Sequence, residues 1–315
     1  MRLLITGCTG FLGGNIGRLA AREGHTLLGV GRSAAPNVEW PGEYVPADLS
    51  SDWSSVIEKF KPEAVLHAAG PAAVGFSFED PLKDLTAGLI TWTHTLESVR
   101  RSKQRPLLLF PSSAAVYGNP DRLPVNEDSA LAPISPYGFH KVACEILSRE
   151  YAECFGLDIV IFRLFSVFGA SQRRLLIWEV YQQLIAERPT VWLDGTGAEV
   201  RDYLDVDDVA EVILRLAQRF SQERARQPAA GRPVIVNIAS GEEIEVFDLA
   251  RRLSALVAPE KSICARGIPR PGEPQRWRAD ISFLRSLLPA WRPKPFLPAL
   301  SSCVSAWQRE RFCVR

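Results

Sequence analysis

Tyr137 and Lys141 stand four residues apart, immediately after Ser135-Pro136. Proline suits the first position of a helix and serine the cap before it, so the pair falls on one face of a helix beginning there. A free phenol, with a pKa near ~10, is a poor base at neutral pH. An ammonium beside it favours the phenolate, which lets Tyr137 exchange a proton with a reacting hydroxyl. Ser113, with Ser112 beside it, lies 24 residues before Tyr137, between an apolar run at 107–110 and Ala114-Ala115-Val116-Tyr117-Gly118. A second constellation, Gly7-Cys8-Thr9-Gly10-Phe11-Leu12-Gly13, follows a short apolar run and opens a helical pattern. In that setting glycines give a tight turn, close backbone approach to a pyrophosphate and tight helix–strand packing. The helix N-terminus then offers free N–H groups and the positive end of its dipole to the anion. The agreement of strand, glycine loop and helix predicts dinucleotide binding, whereas a Tyr/Lys pair at this spacing alone is common by chance.

These residues must be positioned by apolar runs at 3–5, 26–30, 64–66, 107–110 and 159–162, which read as strands buried on both faces. Between them, stretches at 13–23, 50–60, 83–102 and 137–155 read as amphipathic helices. Strand, helix, strand in repetition predicts an α/β fold: a doubly wound, Rossmann-type parallel sheet of six or seven strands with helices on both faces. After residue 170 the rhythm loosens. Helices are expected at 174–187, 206–220 and 245–257, one strand at 234–238, a polar surface loop at 224–233 and a Pro-rich stretch at 269–274. The expected division is a dinucleotide-binding domain over 1–170, carrying the Ser/Tyr/Lys set, and a smaller substrate-binding lobe over 171–315 with some segments returning to the sheet. The lobe should cover the carboxyl edge of the sheet, where ligands bind in open α/β folds.

Lys+Arg 37 against Asp+Glu 36 leaves a net charge of +1, which removes the bulk electrostatic case for a nucleic-acid partner. Hydrophobic content of 46% and charged content of 23% exclude wholesale disorder. The six cysteines form no CxxC pair and have no histidine at zinc spacing, so reduced thiols and no metal site are expected. No apolar stretch approaches the ~20 residues of a membrane span, and the first apolar run is too short for a signal segment. The expected location is the cytoplasm, without a membrane partner.

Beyond the second strand the chain reads Gly31-Arg32-Ser33, with no acidic residue to grip the ribose 2′-hydroxyl of NAD. Arg32 and Ser33 suit a 2′-phosphate instead, although an arginine at a strand end is also an ordinary solvated side chain. The reading favours NADP over NAD.

The GxxGxxG spacing, Ser113 before Val116-Tyr117-Gly118, and Tyr137 with Lys141 resemble the extended short-chain dehydrogenase/reductases, in their NAD-dependent epimerase/dehydratase family of nucleotide-sugar enzymes. The likeness continues through Arg163-Leu164-Phe165-Ser166-Val167-Phe168-Gly169, through 195–208 and through Arg270-Pro271-Gly272-Glu273-Pro274, and spans residues 2 to about 310. It implies that Ser113 orients the substrate hydroxyl, with Ser112 as its neighbour, and that Tyr137 and Lys141 are catalytic and also meet the cofactor. It further implies that Asp48 and Leu49 meet the adenine, that Ala68 and Ala69 form a cofactor-contacting turn, and that Ser166, Arg201 and Arg270 meet a nucleotide-activated sugar, the arginines at its diphosphate. A homodimer through helices 83–102 and 137–155 is implied as well.

Departures narrow the chemistry. Ala114 and Ala115 stand where the family's 4,6-dehydratases carry Asp-Glu, and the cysteine of its 3,5-epimerising members is missing. Gly88 and Ser166 replace two usual asparagines. What remains is hydride transfer at one hexose carbinol or ketone, C4. Arg32 tips the expectation to an NADPH-using 4-keto reductase; the alternative is a 4-epimerase with retained NAD. A non-catalytic redox sensor on the same fold is the rival of another class, and it would need none of Ser113, Tyr137 and Lys141.

Overall fold

The computed structural model describes residues 1–36, 39–226 and 231–313. Strand β1 (Arg2–Thr6), helix α1 (Phe11–Arg22), β2 (Thr26–Gly31), β3 (Glu43–Pro46), α2 (Ser54–Phe60) and β4 (Ala64–His67) open the chain. Helices α3 (Val74–Glu79), α4 (Pro81–Leu85) and α5 (Thr91–Arg101) lead to β5 (Leu107–Ser113), α6 (Pro136–Phe155) and β6 (Ile159–Leu164). With β11 (Val234–Ile238) these strands form one parallel seven-stranded sheet, in the order β11-β6-β5-β4-β1-β2-β3.

Alternation along each strand divides the core. Leu3, Ile5, Leu66, Leu109 and Phe162 face Ile16 of α1 and the helix that precedes β11. Leu4, Val65, Leu108, Phe110 and Ile161 face Ile57, Trp92, Leu96 and Tyr151 on the opposite side. Both faces are covered, which is why the strands read as unbroken apolar runs.

After β6 come β7 (Ser166–Phe168), α7 (Leu176–Ile185), β8 (Thr190–Leu193), β9 (Val200–Arg201), β10 (Tyr203–Asp205) and α8 (Val206–Arg226). Past β11 lie β12 (Ile244–Glu245), α9 (Val246–Val257), β13 (Ser262–Ala265), α10 (Ser282–Leu287) and α11 (Phe296–Cys313). A separate apolar cluster holds α7, α9 and α11 together through Ile177, Tyr181, Leu184, Leu249, Leu253, Leu300 and Trp307. Strand pairs β10–β7, β12–β9 and β13–β8 flank it. Those strands have two to four residues each, too few to show a period in the sequence.

Three expected helices differ from the structure. The stretch 83–102 is not one regular helix: a π-helical turn, Thr86–Ile90, separates α4 from α5. The hydroxyls of Thr86, Thr91, Thr93 and Thr95 each donate to the carbonyl four residues back, and such bonds compete with the regular ladder. α2 starts at Ser54 rather than 50, because Asp52 accepts the Ser54 N–H just ahead of it. α8 continues to Arg226, into the expected loop; Arg219 pairs with Glu223 one turn on, and Arg224 pairs with Asp158. Residues 227–230 of that loop lie outside the described residues.

Candidate active site

Apart from Tyr137 and Lys141, which α6 carries, the sequence-predicted site residues of the first 170 lie at or just past the carboxyl end of a sheet strand, because parallel strands send all their following loops to one edge. Gly7 follows β1 at φ +64°, and a Cβ there would sit 2.6 Å from the carbonyl oxygen of Ala68. Only glycine lets the β1–α1 loop press against the turn that carries Ala68 and Ala69. Gly10 precedes α1 without a side-chain capping bond, so the first-turn N–H groups around Phe11, Leu12 and Gly13 are available to an anion. This cradle fits the pyrophosphate of a dinucleotide, with Thr9 in its loop.

At the adenine end, Arg32 and Ser33 are exposed. Asp48 is exposed too; its carboxylate accepts the Ser50 N–H at 2.9 Å and the Ser50 hydroxyl at 2.5 Å. These hydrogen bonds, with lesser help from the Arg32 charge, hold its pKa below the usual carboxylate value. Leu49 points its side chain into the core beside Trp53, which leaves only its backbone to face a ligand.

The residues predicted to be catalytic converge where α6 meets β5. Ser135 caps α6 by accepting the Gly138 N–H at 3.1 Å. A Cβ on Gly138 would lie 2.7 Å from the Ala115 carbonyl oxygen and 2.9 Å from Pro133 Cβ, so the helix start is pressed onto the 3₁₀ turn Ala114–Tyr117. Lys141 Nζ donates to the Pro111 carbonyl at 2.8 Å and lies 5.7 Å from the centre of the buried Tyr137 ring. Two of its three N–H donors remain for a ligand. Ser113, the last residue of β5, accepts the Ala115 N–H at 3.1 Å through its hydroxyl oxygen, leaving its own proton to donate. Ala114 and Ala115 are buried and carry no proton donor.

Ser112 departs from expectation. As the strand neighbour of Ser113 it points to the other face, is buried, and donates to Glu145 at 2.5 Å. It belongs to the support of the site. His67, the last residue of β4, is buried against Thr6 and Thr95, and burial drives its pKa down to about 3.

On the lobe side, Ser166 opens β7, and its N–H donates to the Asp202 carbonyl at 2.9 Å. Arg201 is buried, over the Trp277 ring at 5.5 Å. Burial lowers its pKa, against the pull of Tyr203 and Glu273. Glu273 stands between the two predicted arginines, 3.6 Å from Arg201 and 3.3 Å from Arg270. The strap bearing Arg270 crosses the site, with Gly272 against Phe78 of α3 and against Ser135.

The sequence signature described as NAD dependent epimerase/dehydratase family matches residues 3–239. The chain belongs to this family. A UDP-glucose 4-epimerase of Mycolicibacterium smegmatis is 29% identical, over 93% of this chain and 94% of that protein. Among solved structures, an NAD-dependent NDP-hexosamine 5,6-dehydratase of tunicamycin biosynthesis, TunA, is 26% identical with a TM-score of 0.85, covering 98% of each chain. A UDP-glucose-4-epimerase from Stenotrophomonas maltophila, with bound NAD and formylated UDP-arabinopyranose, is 25% identical with a TM-score of 0.85, covering 100% of this chain and 99% of the other.

Sequence reasoning missed the support beneath the residues predicted to be catalytic. Arg163, 3% exposed, makes a two-pronged ion pair with Glu145, donates to the Tyr117 hydroxyl at 2.9 Å and to the Glu127 carbonyl at 2.8 Å. Tyr117 in turn donates to Asn237 of β11 at 2.7 Å. Two signals were present. Glu145 stands one helical turn beyond Lys141, and Arg163 is a charge directly following an apolar run read as a buried strand.

Proposed function

We propose that this protein is a nucleotide-sugar 4-epimerase that inverts C4 of a nucleoside-diphosphate hexose, using a nicotinamide dinucleotide held in the glycine cradle. The observation that carries the reading is the convergence of Tyr137, Lys141 and Ser113 at the β5–α6 junction, with Lys141 fixed on Pro111 at 2.8 Å. When bound, the dinucleotide supplies a hydride acceptor that can return what it takes. Tyr137 removes the proton of the 4-hydroxyl as C4 becomes a carbonyl, and gives it back when that carbonyl is reduced from the opposite face. Ser113 donates its free hydroxyl proton to the same oxygen. Lys141 places its charge beside the phenol. Arg201 and Arg270 take the diphosphate, and Ser166 lines the sugar side. The part of the chain after residue 170, apart from α8, β11 and α10, which pack with the sheet, serves as the substrate lobe.

The relatives support epimerisation over the 4-keto reductase expected from Arg32, and an enzyme that returns its hydride draws on no NADPH pool. Buried Ala114 and Ala115 leave no acid at those positions to expel a hydroxyl, which separates the reading from dehydration. Cofactor preference rests on Arg32 and Ser33, which suit a 2′-phosphate, at a strand end without an acidic residue. A second copy of the chain is expected on the face where Leu82, Phe139 and Ile146 of α4 and α6 are 73%, 59% and 63% exposed; a monomer at micromolar concentration in sedimentation would remove this part of the reading.

The test is interconversion of UDP-glucose and UDP-galactose, with and without added cofactor. Epimerisation leaves the 340 nm absorbance of the cofactor unchanged at steady state, whereas a reductase consumes it. Tyr137→Phe should keep dinucleotide binding and lose ~10²–10⁴-fold in kcat. Wild-type turnover in that variant refutes the mechanism. A wild type inert to every nucleotide sugar offered favours the sensor.

A further inference from the structure

Asp202 directly follows Arg201 and is fully buried. Its Oδ1 accepts the Ser240 N–H at 2.8 Å and the Ser240 hydroxyl at 2.7 Å. Its Oδ2 accepts the N–H groups of Gly241 at 3.0 Å and Ala279 at 3.2 Å. Its carbonyl accepts the Ser166 N–H. One side chain therefore ties three separate pieces of chain: the β9–β10 junction, the loop after β11, and the segment returning from the Arg270 strap. Only a carboxylate offers enough lone pairs for all four donors and has no proton to place among them. The desolvation cost is visible in the carboxyl pKa, pushed up by burial to about 6. A contact made at such a cost where an apolar residue would pack is expected where geometry matters more than stability.

The surrounding bonds show what geometry is held. Val200 and the strap exchange backbone hydrogen bonds, Val200 N–H to Gln275 and Trp277 N–H to Val200. Trp277 carries Arg201 over its ring and donates its indole N–H to the Gly118 carbonyl at 2.9 Å, at the end of the catalytic turn. The place of Arg270 and Glu273 relative to Arg201 thus depends on where the strap's return is anchored, and Ala279 is anchored on Asp202.

We propose that Asp202 is a positioning residue for the nucleotide diphosphate, fixing the strap to the strand of Arg201 so that Arg201 and Arg270 face one anion from two sides. It touches no ligand itself. The proposal rests on the reading of these two arginines as diphosphate partners.

Full-length Asp202→Asn keeps the side-chain size but turns an amide NH₂ toward donors that need an acceptor. With UDP and UDP-galactose as probes, the UDP Kd by calorimetry and the UDP-galactose KM should rise about tenfold to a hundredfold. The NAD Kd and kcat should stay at their wild-type values. Arg201→Ala and Arg270→Ala are measured alongside. If neither weakens UDP binding, the diphosphate reading fails; if they do and a folded Asp202→Asn does not, the positioning role fails. Equal losses for NAD and UDP also overturn it, since they report general loosening. Should Asp202→Asn not fold, Ser240→Ala deletes one of the four donors, and an unchanged KM in that variant overturns the proposal.

Discussion

Gly138 offers the sharpest perturbation of the catalytic junction, because its neighbours are backbone and ring atoms with little freedom to move. In Gly138→Ala the new methyl would stand 2.7 Å from the Ala115 carbonyl oxygen and 2.9 Å from Pro133 Cβ, about 0.7 and 0.5 Å inside the 3.4 Å at which ordinary contact begins. The helix start must back away from the 3₁₀ turn by roughly half an ångström. Overpacking of this kind costs ~1–3 kcal/mol, and alanine's helix propensity recovers at most about 1 kcal/mol of that near a helix end. The net loss, about 0–3 kcal/mol, leaves a protein of this size folded. Tyr137 and Lys141 move with the helix, while Ser113 stays with the strand. A misplacement of 1 Å costs about a hundredfold in rate, so half of that predicts a loss on the order of tenfold in kcat. The assay is steady-state UDP-galactose turnover, with the melting temperature and NAD affinity measured on the same preparation. A folded Gly138→Ala with wild-type kcat would show that the contact with Ala115 does not set the catalytic geometry.

Three further outcomes are expected. Glu145→Gln strands the buried Arg163 cation and should cost ~3–5 kcal/mol in urea unfolding, part of it recovered by adding Arg163→Met; a loss under about 1 kcal/mol contradicts the reading of the pair as desolvated. His67 stays neutral in the fold, its pKa lowered to about 3 by burial and by the Lys141 charge, whereas the unfolded chain takes up a proton near pH 6.5. Its contribution is therefore present above pH 6.5 and lost as pH falls toward 3, and between pH 6.5 and 5 the wild type should lose roughly 2 kcal/mol that His67→Gln does not; parallel pH profiles would refute this. Arg32→Asp should weaken NADP binding and improve NAD binding in titration calorimetry, and an unchanged ratio means that Arg32 is merely solvated.

The sheet was legible in the sequence because burial on both faces writes each strand as an unbroken apolar run, and helices between parallel strands write their own period. The placement of the glycine loop, Ser113, Tyr137 and Lys141 was legible for a related reason: it is local, set by a strand end or a helix start a few residues away. Ser112 and Ser113 were harder to separate, since strand alternation assigns them opposite faces without saying which face holds the site; only the Glu145 bond decides it. The π-helical turn at 86–90 escaped because it arises from threonine hydroxyls that look ordinary in an amphipathic pattern. Relations across long sequence distance belonged to the tertiary structure alone. Asp202 meets Ala279 and Glu145 meets Arg163 only after the sheet has ordered their segments. Glu273 lies three residues from Arg270, yet its place beside Arg201 depends on where the strap is tied. Residue type and spacing determine what a short stretch can do; which distant stretch it meets depends on which faces are left to bury, and a linear pattern does not hold that information.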